Sequence, residues 1–287
     1  MPAKLINGTA LSQTIKADVR TRIAAHTAAG ERAPFLAVVL VGDNPASQIY
    51  VGHKEKACAE VGIKTRTWKL PKTASQAEVL ELVERLNADP AIDGILPQLP
   101  LPPQVSRIAT IHAISPEKDV DGLTPYNQGM LDWNLPARYP CTPLGIMALI
   151  RSTGIKLSGS LAGVLGRSVL VGAPTATLLS HAGSTIVCMH SESRNTRELT
   201  RECDIVVVAT GSHHLVKGDW IKPGAVVIDV GIHRTESGKL AGDVDFDAAA
   251  KVAGHITPVP GGVGPMTIAM LLVNCLDAYE ARKSKKL

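Results

Sequence analysis

At 287 residues, with 45% apolar and 20% charged, the chain suits one large or two ordinary domains and needs no disulfides to hold a core. A net charge of +4 with only 3% aromatic residues provides no basic, aromatic-laced stripe, which excludes base stacking and a nucleic-acid arm. The five cysteines are widely spaced with no Cys-x-x-Cys, and the nine histidines show no metal-ligand spacing. The start lacks a signal-peptide apolar run, and no stretch has transmembrane length, so the expectation is a cytoplasmic protein without metal or membrane contact.

Residues 9–29 read as an amphipathic helix that ends near Gly30, and the apolar run 35–41 reads as a buried strand. Gly42-Asp43-Asn44-Pro45 is turn chemistry, and Asn44 or Ser47 caps the helix that follows, which runs to about Glu60 before Gly62. Tyr50 and Lys54 are four apart on that helix and share one face. They stand just past the carboxyl end of a strand, where open α/β sheets receive ligands. An isolated pair of this kind is usually a half-buried tyrosine beside a surface lysine; the rest of the chain reverses that reading.

A second strand spans 63–70. A helix at 73–87 has Ser75 as its cap and Leu80, Leu82, Val83 and Leu86 as apolar positions, and a third strand covers 93–96. This alternation predicts a parallel sheet with helical crossovers. The stretch 97–103 holds four prolines, so it reads as a rigid loop outside regular structure that fixes Gln98. In the polar loop 115–122 an acid is placed to pair with Lys118, and Asp121 before Gly122 is either an aimed carboxylate or a turn former. Residues 126–139 read as an irregular crossing between domains. Thr142 then caps a helix with Pro143 at its first position, running to about Ser152.

The second half has a dinucleotide-binding pattern. Strand 161–165 leads through Gly166-Arg167-Ser168 to Gly172 and a helix that reaches about Ala182. The two glycines are six apart, so the motif is not G-x-G-x-x-G. The further apolar strands 185–189, 204–209 and 225–229 supply the context. Small residues follow two of them, at Thr210-Gly211 and Val230-Gly231-Ile232. The end of the second strand carries His190-Ser191 where an acid would receive the ribose of NAD. Arg167 with these hydroxyls predicts NADP, while Glu192 and Glu198 are expected on the following helix surface. A loop of prolines and glycines at 258–265 opens a last helix to about Ala281, and 282–286 reads as a solvated tail.

Taken together, the chain resembles the bifunctional methylenetetrahydrofolate dehydrogenase/methenyltetrahydrofolate cyclohydrolase family along essentially its whole length. The resemblance rests on Val41-Gly-Asp-Asn-Pro-Ala-Ser47, Tyr50-x-x-x-Lys54, Gly94-Ile-Leu-Pro-Gln98-Leu-Pro-Leu-Pro102 and Lys118-Asp-Val-Asp121-Gly. It also rests on Pro140-Cys-Thr-Pro143, Gly166-Arg-Ser168 and Pro258-Val-Pro-Gly-Gly-Val-Gly-Pro265. Pro97 stands where the family commonly has valine, which puts the fine geometry of Gln98 in question. Leu123-Thr124 and Val169 are smaller departures.

The resemblance implies an α/β fold of two domains with an interdomain active-site cleft. A catalytic, folate-binding domain would cover 1–122, completed by a C-terminal helix at 265–287, and a Rossmann-like NADP-binding domain would cover 123–264. It implies a homodimer that oxidises 5,10-methylenetetrahydrofolate with NADP and hydrolyses the methenyl product to 10-formyltetrahydrofolate. Lys54, Gln98, Tyr50 and Asp121 carry over as catalytic residues. Leu99, Pro260, Gly261, Gly262, Val263 and Gly264 join them at the substrate. Thr142, Gly166, Arg167, Ser168, Gly172, Pro174, Ser191, Thr210, Gly211 and Ile232 are expected at the cofactor. A short-chain dehydrogenase is rejected because its glycine motif precedes its Tyr-x-x-x-Lys. A shikimate-dehydrogenase-like oxidoreductase leaves the Gln98 and Asp121 loops unexplained. A non-catalytic NADP- or folate-binding sensor is disfavoured by the intact Lys54, Gln98 and Asp121 set.

Overall fold

The computed structural model describes residues 2–236 and 238–284. In chain order the elements are β1 (Lys4–Leu5), α1 (Gly8–Ala28), β2 (Phe35–Val41), α2 (Pro45–Val61), β3 (Lys64–Leu70), α3 (Gln76–Ala88) and β4 (Gly94–Pro97). Then follow α4 (Arg107–His112), α5 (Pro125–Asp132), α6 (Cys141–Ser152), β5 (Leu161–Leu165), α7 (Gly172–His181), β6 (Thr185–Met189) and α8 (Thr196–Glu202). The last are β7 (Ile205–Val208), β8 (Val226–Asp229), β9 (His233–Arg234), β10 (Leu240–Ala241), α9 (Phe246–Ala249), β11 (His255–Ile256) and α10 (Val263–Ser284).

The chain forms two compact α/β units, one of residues 13–141 and 268 onward, the other of 1–12 and 142–267. The first is built on a parallel sheet in the order β3-β2-β4. Strand β2 is buried on both faces, so it reads as an unbroken apolar run. Leu36, Val38 and Leu40 point to one side, against Val19 and Ile23 of α1, Val51 and Val61 of α2, and Leu272 and Leu276 of α10. Ala37, Val39 and Val41 point to the other, against Val79, Leu82, Val83 and Leu86 of α3. Each such side chain contributes roughly 1.5–3 kcal/mol by leaving water. Helix α3 starts with a reciprocal capping box between Ser75 and Glu78, and Val79 takes the inward position that the periodicity gave to Leu80.

The second unit carries six strands in the order β1-β11-β8-β7-β5-β6, every pairing parallel. Val206, Val208 and Val227 face Val216, Ile221, Val244 and Ala249 across one side of that sheet.

Several expectations are corrected. Residues 126–139 are not simply irregular: α5 lies there, with Thr124 accepting from the Asn127 N–H and Pro125 opening the helix. Pro97 is not loop but the last residue of β4, opposite Val39. A proline is tolerated there because β4 is an edge strand and Gln98 supplies the next N–H, to Val39 O at 2.8 Å. Thr142 does not cap α6; it lies inside the first turn, with its hydroxyl 3.0 Å from that of Thr267.

Among the described residues, no acid forms an ion pair with Lys118. This lysine is buried and donates to the carbonyls of Leu86, Asn87 and Asp89 at 3.0, 2.7 and 2.6 Å, closing the carboxyl end of α3. Arg282 and Lys283 are not a solvated tail. They are the end of α10, with Arg282 on Asp93 at 3.1 Å and Lys283 on Glu31. Lys285 and Lys286 lie outside the described residues. The division of the chain also differs from the expected one. Residues 1–12 go with the six-stranded sheet because β1 pairs with β11, and 123–141 go with the three-stranded one.

Candidate active site

Helix α2 begins at a defined cap. The Asn44 side chain accepts from the Ser47 N–H at 3.2 Å and Pro45 occupies the first turn. Asn44 is therefore the cap, and the Ser47 hydroxyl is buried without a hydrogen-bond partner among the described residues. One turn on along α2, Tyr50 is 43% exposed.

Lys54 Nζ donates to Gln98 Oε1 at 2.9 Å. The other end of that amide is committed, since Gln98 Nε2 donates to Leu99 O at 2.6 Å. With its N–H₂ occupied, the amide turns its oxygen to the lysine. The backbone of Gln98 continues the β4 ladder, so Pro97 leaves it in place.

The loop bearing Asp121 is anchored on several sides. Ile95 N donates to Lys118 O at 2.8 Å, and the Asp119 carboxylate accepts from Thr124 N and Asn127 Nδ2 at 2.7 and 2.9 Å. Gly122 has φ +67°, and a Cβ there would lie 2.6 Å from Arg138 O and 2.5 Å from Tyr139 C, so no other residue fits the bend after Asp121. Beside it, the buried Cys141 thiol donates to Val120 O at 3.2 Å. Asn274 of α10 donates to Val120 O at 2.9 Å and Tyr139 O at 3.0 Å.

Burial lowers the affinity of Lys54 for its proton, and nearby Asp121 opposes that shift. Burial pushes the Asp121 carboxyl up while Lys54 pulls it down. Burial also holds the Cys141 thiol protonated well above its ordinary range, which suits a donor. Lys54, Gln98, Leu99 and Asp121 are thus brought together in the first unit, with Tyr50 one turn from Lys54.

In the second unit, Gly166 leaves β5 at φ +111°, where a Cβ would strike Ala209 O at 2.2 Å. Gly172 opens α7 so close to the loop that a Cβ would lie 1.9 Å from Gly166 O. Both glycines let the loop fold on itself. Ser168 Oγ accepts from Val171 N at 3.2 Å, and α7 has no side-chain cap. Pro174 lies in the first turn of α7 and is buried. Among the described residues no acceptor faces the N–H groups of Arg167 and Val169. Free loop donors, a helix start and a neighbouring guanidinium fit an anionic pyrophosphate.

Ser191 is exposed beyond β6. Glu192 is not on the following helix. It lies in the same loop, with Oε2 3.5 Å from Arg167 Nη2, both side chains largely exposed. Glu198 is on α8 as expected. Thr210 and Gly211 follow β7, and Ile232 follows β8 with 49% exposure, high for an aliphatic side chain at a strand end.

Pro260, Gly261, Gly262, Val263 and Gly264 belong to this second unit and not to the one carrying Lys54. They are pinned to the start of α1, where Thr9 N donates to Gly261 O at 3.0 Å. Residues missed in the sequence are Cys141 and Asn274 around Asp121, and Asp229, His233 and Asp243 around Thr210. The available signal for the last group was the acid pair in Gly242-Asp243-Val244-Asp245 set within apolar sequence.

Residues 6–121 match the family described as tetrahydrofolate dehydrogenase/cyclohydrolase, catalytic domain, and residues 140–283 match the NAD(P)-binding domain of the same description. Among solved structures, the chain is similar to the bifunctional enzyme FolD, methylenetetrahydrofolate dehydrogenase/cyclohydrolase, of Campylobacter jejuni. The two are 45% identical over 98% of this chain and 99% of that one, with a TM-score of 0.95. It is also similar to the Trypanosoma brucei dehydrogenase-cyclohydrolase complexed with NADP cofactor and inhibitor, at 38% identity over 99% of each chain and a TM-score of 0.94. Shikimate dehydrogenase of Aquifex aeolicus shares the fold alone, at 11% identity over 87% of this chain and 92% of that one, with a TM-score of 0.52.

Proposed function

The chain belongs to the tetrahydrofolate dehydrogenase/cyclohydrolase family, and we propose that Lys54, Gln98, Tyr50 and Asp121 carry out its chemistry. The enzyme oxidises 5,10-methylenetetrahydrofolate to 5,10-methenyltetrahydrofolate with NADP and hydrolyses the product to 10-formyltetrahydrofolate. NADP, when bound, accepts the hydride. The observation that carries the assignment of roles is the contact of Lys54 with the neutral Gln98.

Hydride loss leaves a cationic methenyl group. A protonated lysine alongside would repel it, whereas burial favours the neutral amine in Lys54. Gln98 holds that amine by a hydrogen bond without adding a negative charge that would restore its proton. In the hydrolysis, water adds to the methenyl carbon and gives up one proton to Lys54; the hydroxyl so formed then becomes the formyl C=O as the ring C–N bond breaks, its proton passing to the leaving nitrogen. Tyr50 supplies a ring face for the folate. Asp121 accepts two hydrogen bonds from the amino-pyrimidine edge of the pterin, with Gly122 fixing the bend that follows it.

The unit carrying these residues is the folate-binding domain and the six-stranded unit the NADP-binding one. Arg167 and Ser191 take the 2′-phosphate, the Gly166–Gly172 loop takes the pyrophosphate, and Thr142, Thr210, Gly211 and Ile232 meet the rest of the dinucleotide. Pro260–Gly264, in the second unit, are assigned to substrate binding by the family resemblance. A homodimer acting in the cytoplasm is the matching assembly. Support for the compartment is that all five cysteines are free thiols, and that no described helix is long and apolar enough to cross a membrane. The deciding experiment is a pair of absorbance assays, methylenetetrahydrofolate with NADP or NAD and methenyltetrahydrofolate without cofactor. Sedimentation of the same preparation gives the assembly. Absence of either turnover would refute the bifunctional reading.

A further inference from the structure

We propose that Asp243, a residue with no place in the reading above, is the positioning residue of the cofactor site. The proposal rests on Thr210, Gly211 and Ile232 meeting NADP. Asp243 is fully buried. Its Oδ2 accepts from Thr210 N at 2.6 Å, Thr210 Oγ1 at 2.9 Å and Gly211 N at 2.9 Å. Its Oδ1 lies 2.7 Å from Nε2 of His233, the residue after Ile232. A buried carboxylate is costly unless donors surround it, and these four contacts do so.

The carboxylate therefore ties the segment after β7 to the segment after β8. Both follow the carboxyl ends of adjacent parallel strands, the edge at which such sheets receive dinucleotides. The tie is itself held. Asp243 N donates to Asp229 Oδ1 at 2.9 Å, and Val216 N donates to Asp243 O at 3.1 Å. His214 N reaches Gly242 O at 3.2 Å. Gly231 is a consequence of the arrangement, because a Cβ there would lie 2.2 Å from Asp243 Oδ1.

The clamp also sets what the turn can recognise. With both backbone N–H groups of Thr210 and Gly211 bound to Asp243, the turn offers a ligand its two carbonyl oxygens, which no donor among the described residues reaches. Acceptors without donors suit ribose hydroxyls and repel phosphate. Asp243 thus directs the ribose portion of the dinucleotide, not its phosphates, to this turn.

The test measures NADP affinity by titration calorimetry in the full-length protein, alongside cyclohydrolase turnover assayed without NADP. Asp243→Ala should raise the NADP Kd about tenfold or more while cyclohydrolase kcat stays within about twofold. Asp243→Asn, which keeps an acceptor oxygen, should recover most of the affinity. His233→Leu should weaken NADP several-fold. An unchanged Kd in Asp243→Ala, or equal loss of NADP affinity and cyclohydrolase turnover, would overturn the proposal. If Asp243→Ala does not fold, His233→Leu decides alone, and an unchanged Kd there overturns it. A wild-type enzyme that bound no NADP would instead remove the cofactor reading itself.

Discussion

Lys54 Nζ donates to Gln98 Oε1 at 2.9 Å, an amine on α2 held by an amide at the end of β4. On the proposed roles, the pairing of a partly buried amine with an uncharged partner separates the two reactions. Hydride transfer depends mainly on proximity and orientation, because the cofactor is the electron sink. Hydrolysis needs a proton acceptor.

Lys54→Met should therefore reduce cyclohydrolase turnover by about 10²–10⁴-fold while leaving measurable dehydrogenase activity. Since burial lowers the Lys54 pKa, wild-type cyclohydrolase kcat should rise with pH through a limb below the ordinary lysine value of 10.5. The limb should vanish in Lys54→Met. Full cyclohydrolase turnover in that variant would remove the role of Lys54.

Asp121→Ala should weaken both activities together, since both use the same bound pterin. The loss of a charge-assisted pair costs roughly 1.5–3 kcal/mol of folate affinity. A second consequence has a definite sign. Asp121 favours the protonated lysine, so its removal lowers the Lys54 pKa further and moves the residual cyclohydrolase limb to lower pH. Folate titrations and pH profiles of both reactions check this. A limb displaced to higher pH would contradict it.

Arg167→Ala should cost NADP about 1.5–3 kcal/mol of affinity and NAD much less. Glu192 lies 3.5 Å from Arg167 in an exposed pair, so Glu192→Gln should tighten NADP by only about 0.2–1 kcal/mol. Parallel Kd measurements for both cofactors distinguish these effects. Equal affinities for NADP and NAD in the wild-type protein would disprove the 2′-phosphate role.

Asp93 should be a stability residue without a direct part in turnover. Its fully buried carboxylate accepts from Arg32 Nη1 and Nη2 at 2.6 and 2.8 Å, Phe35 N at 2.9 Å and Arg282 Nη1 at 3.1 Å, which joins α10 to the start of β2. Asp93→Ala leaves these donors unmatched and should cost about 3 kcal/mol in urea unfolding. A midpoint unchanged from wild type would show that α10 docks by its apolar face alone.

Local signals carried much of the fold. The unbroken apolar run of β2, the Ser75 cap of α3 and the Gly62 end of α2 each depend on neighbours within a few residues, so the chain itself determined them. The i, i+4 relation of Tyr50 and Lys54 and the glycine-containing loop before α7 are local in the same sense. Helix α5 was equally local, through Thr124-Pro125, but its polar composition obscured it.

Tertiary structure decided what depends on residues far apart in sequence. Strand β1 has two residues and no apolar pattern, and only its pairing with β11 places it in the six-stranded sheet. Lys118 is adjacent to acids in sequence, yet it closes α3, because three carbonyls at a helix end surround an ammonium more completely than one neighbouring carboxylate. Cys141 and Asn274 meet Val120, next to Asp121, and Asp243 meets Thr210, across 21, 154 and 33 positions of chain. Spacing cannot report such contacts. A buried carboxylate or amide is satisfied by whichever donors or acceptors the packed elements bring to it, and that choice is made only when the sheet and helices close around it.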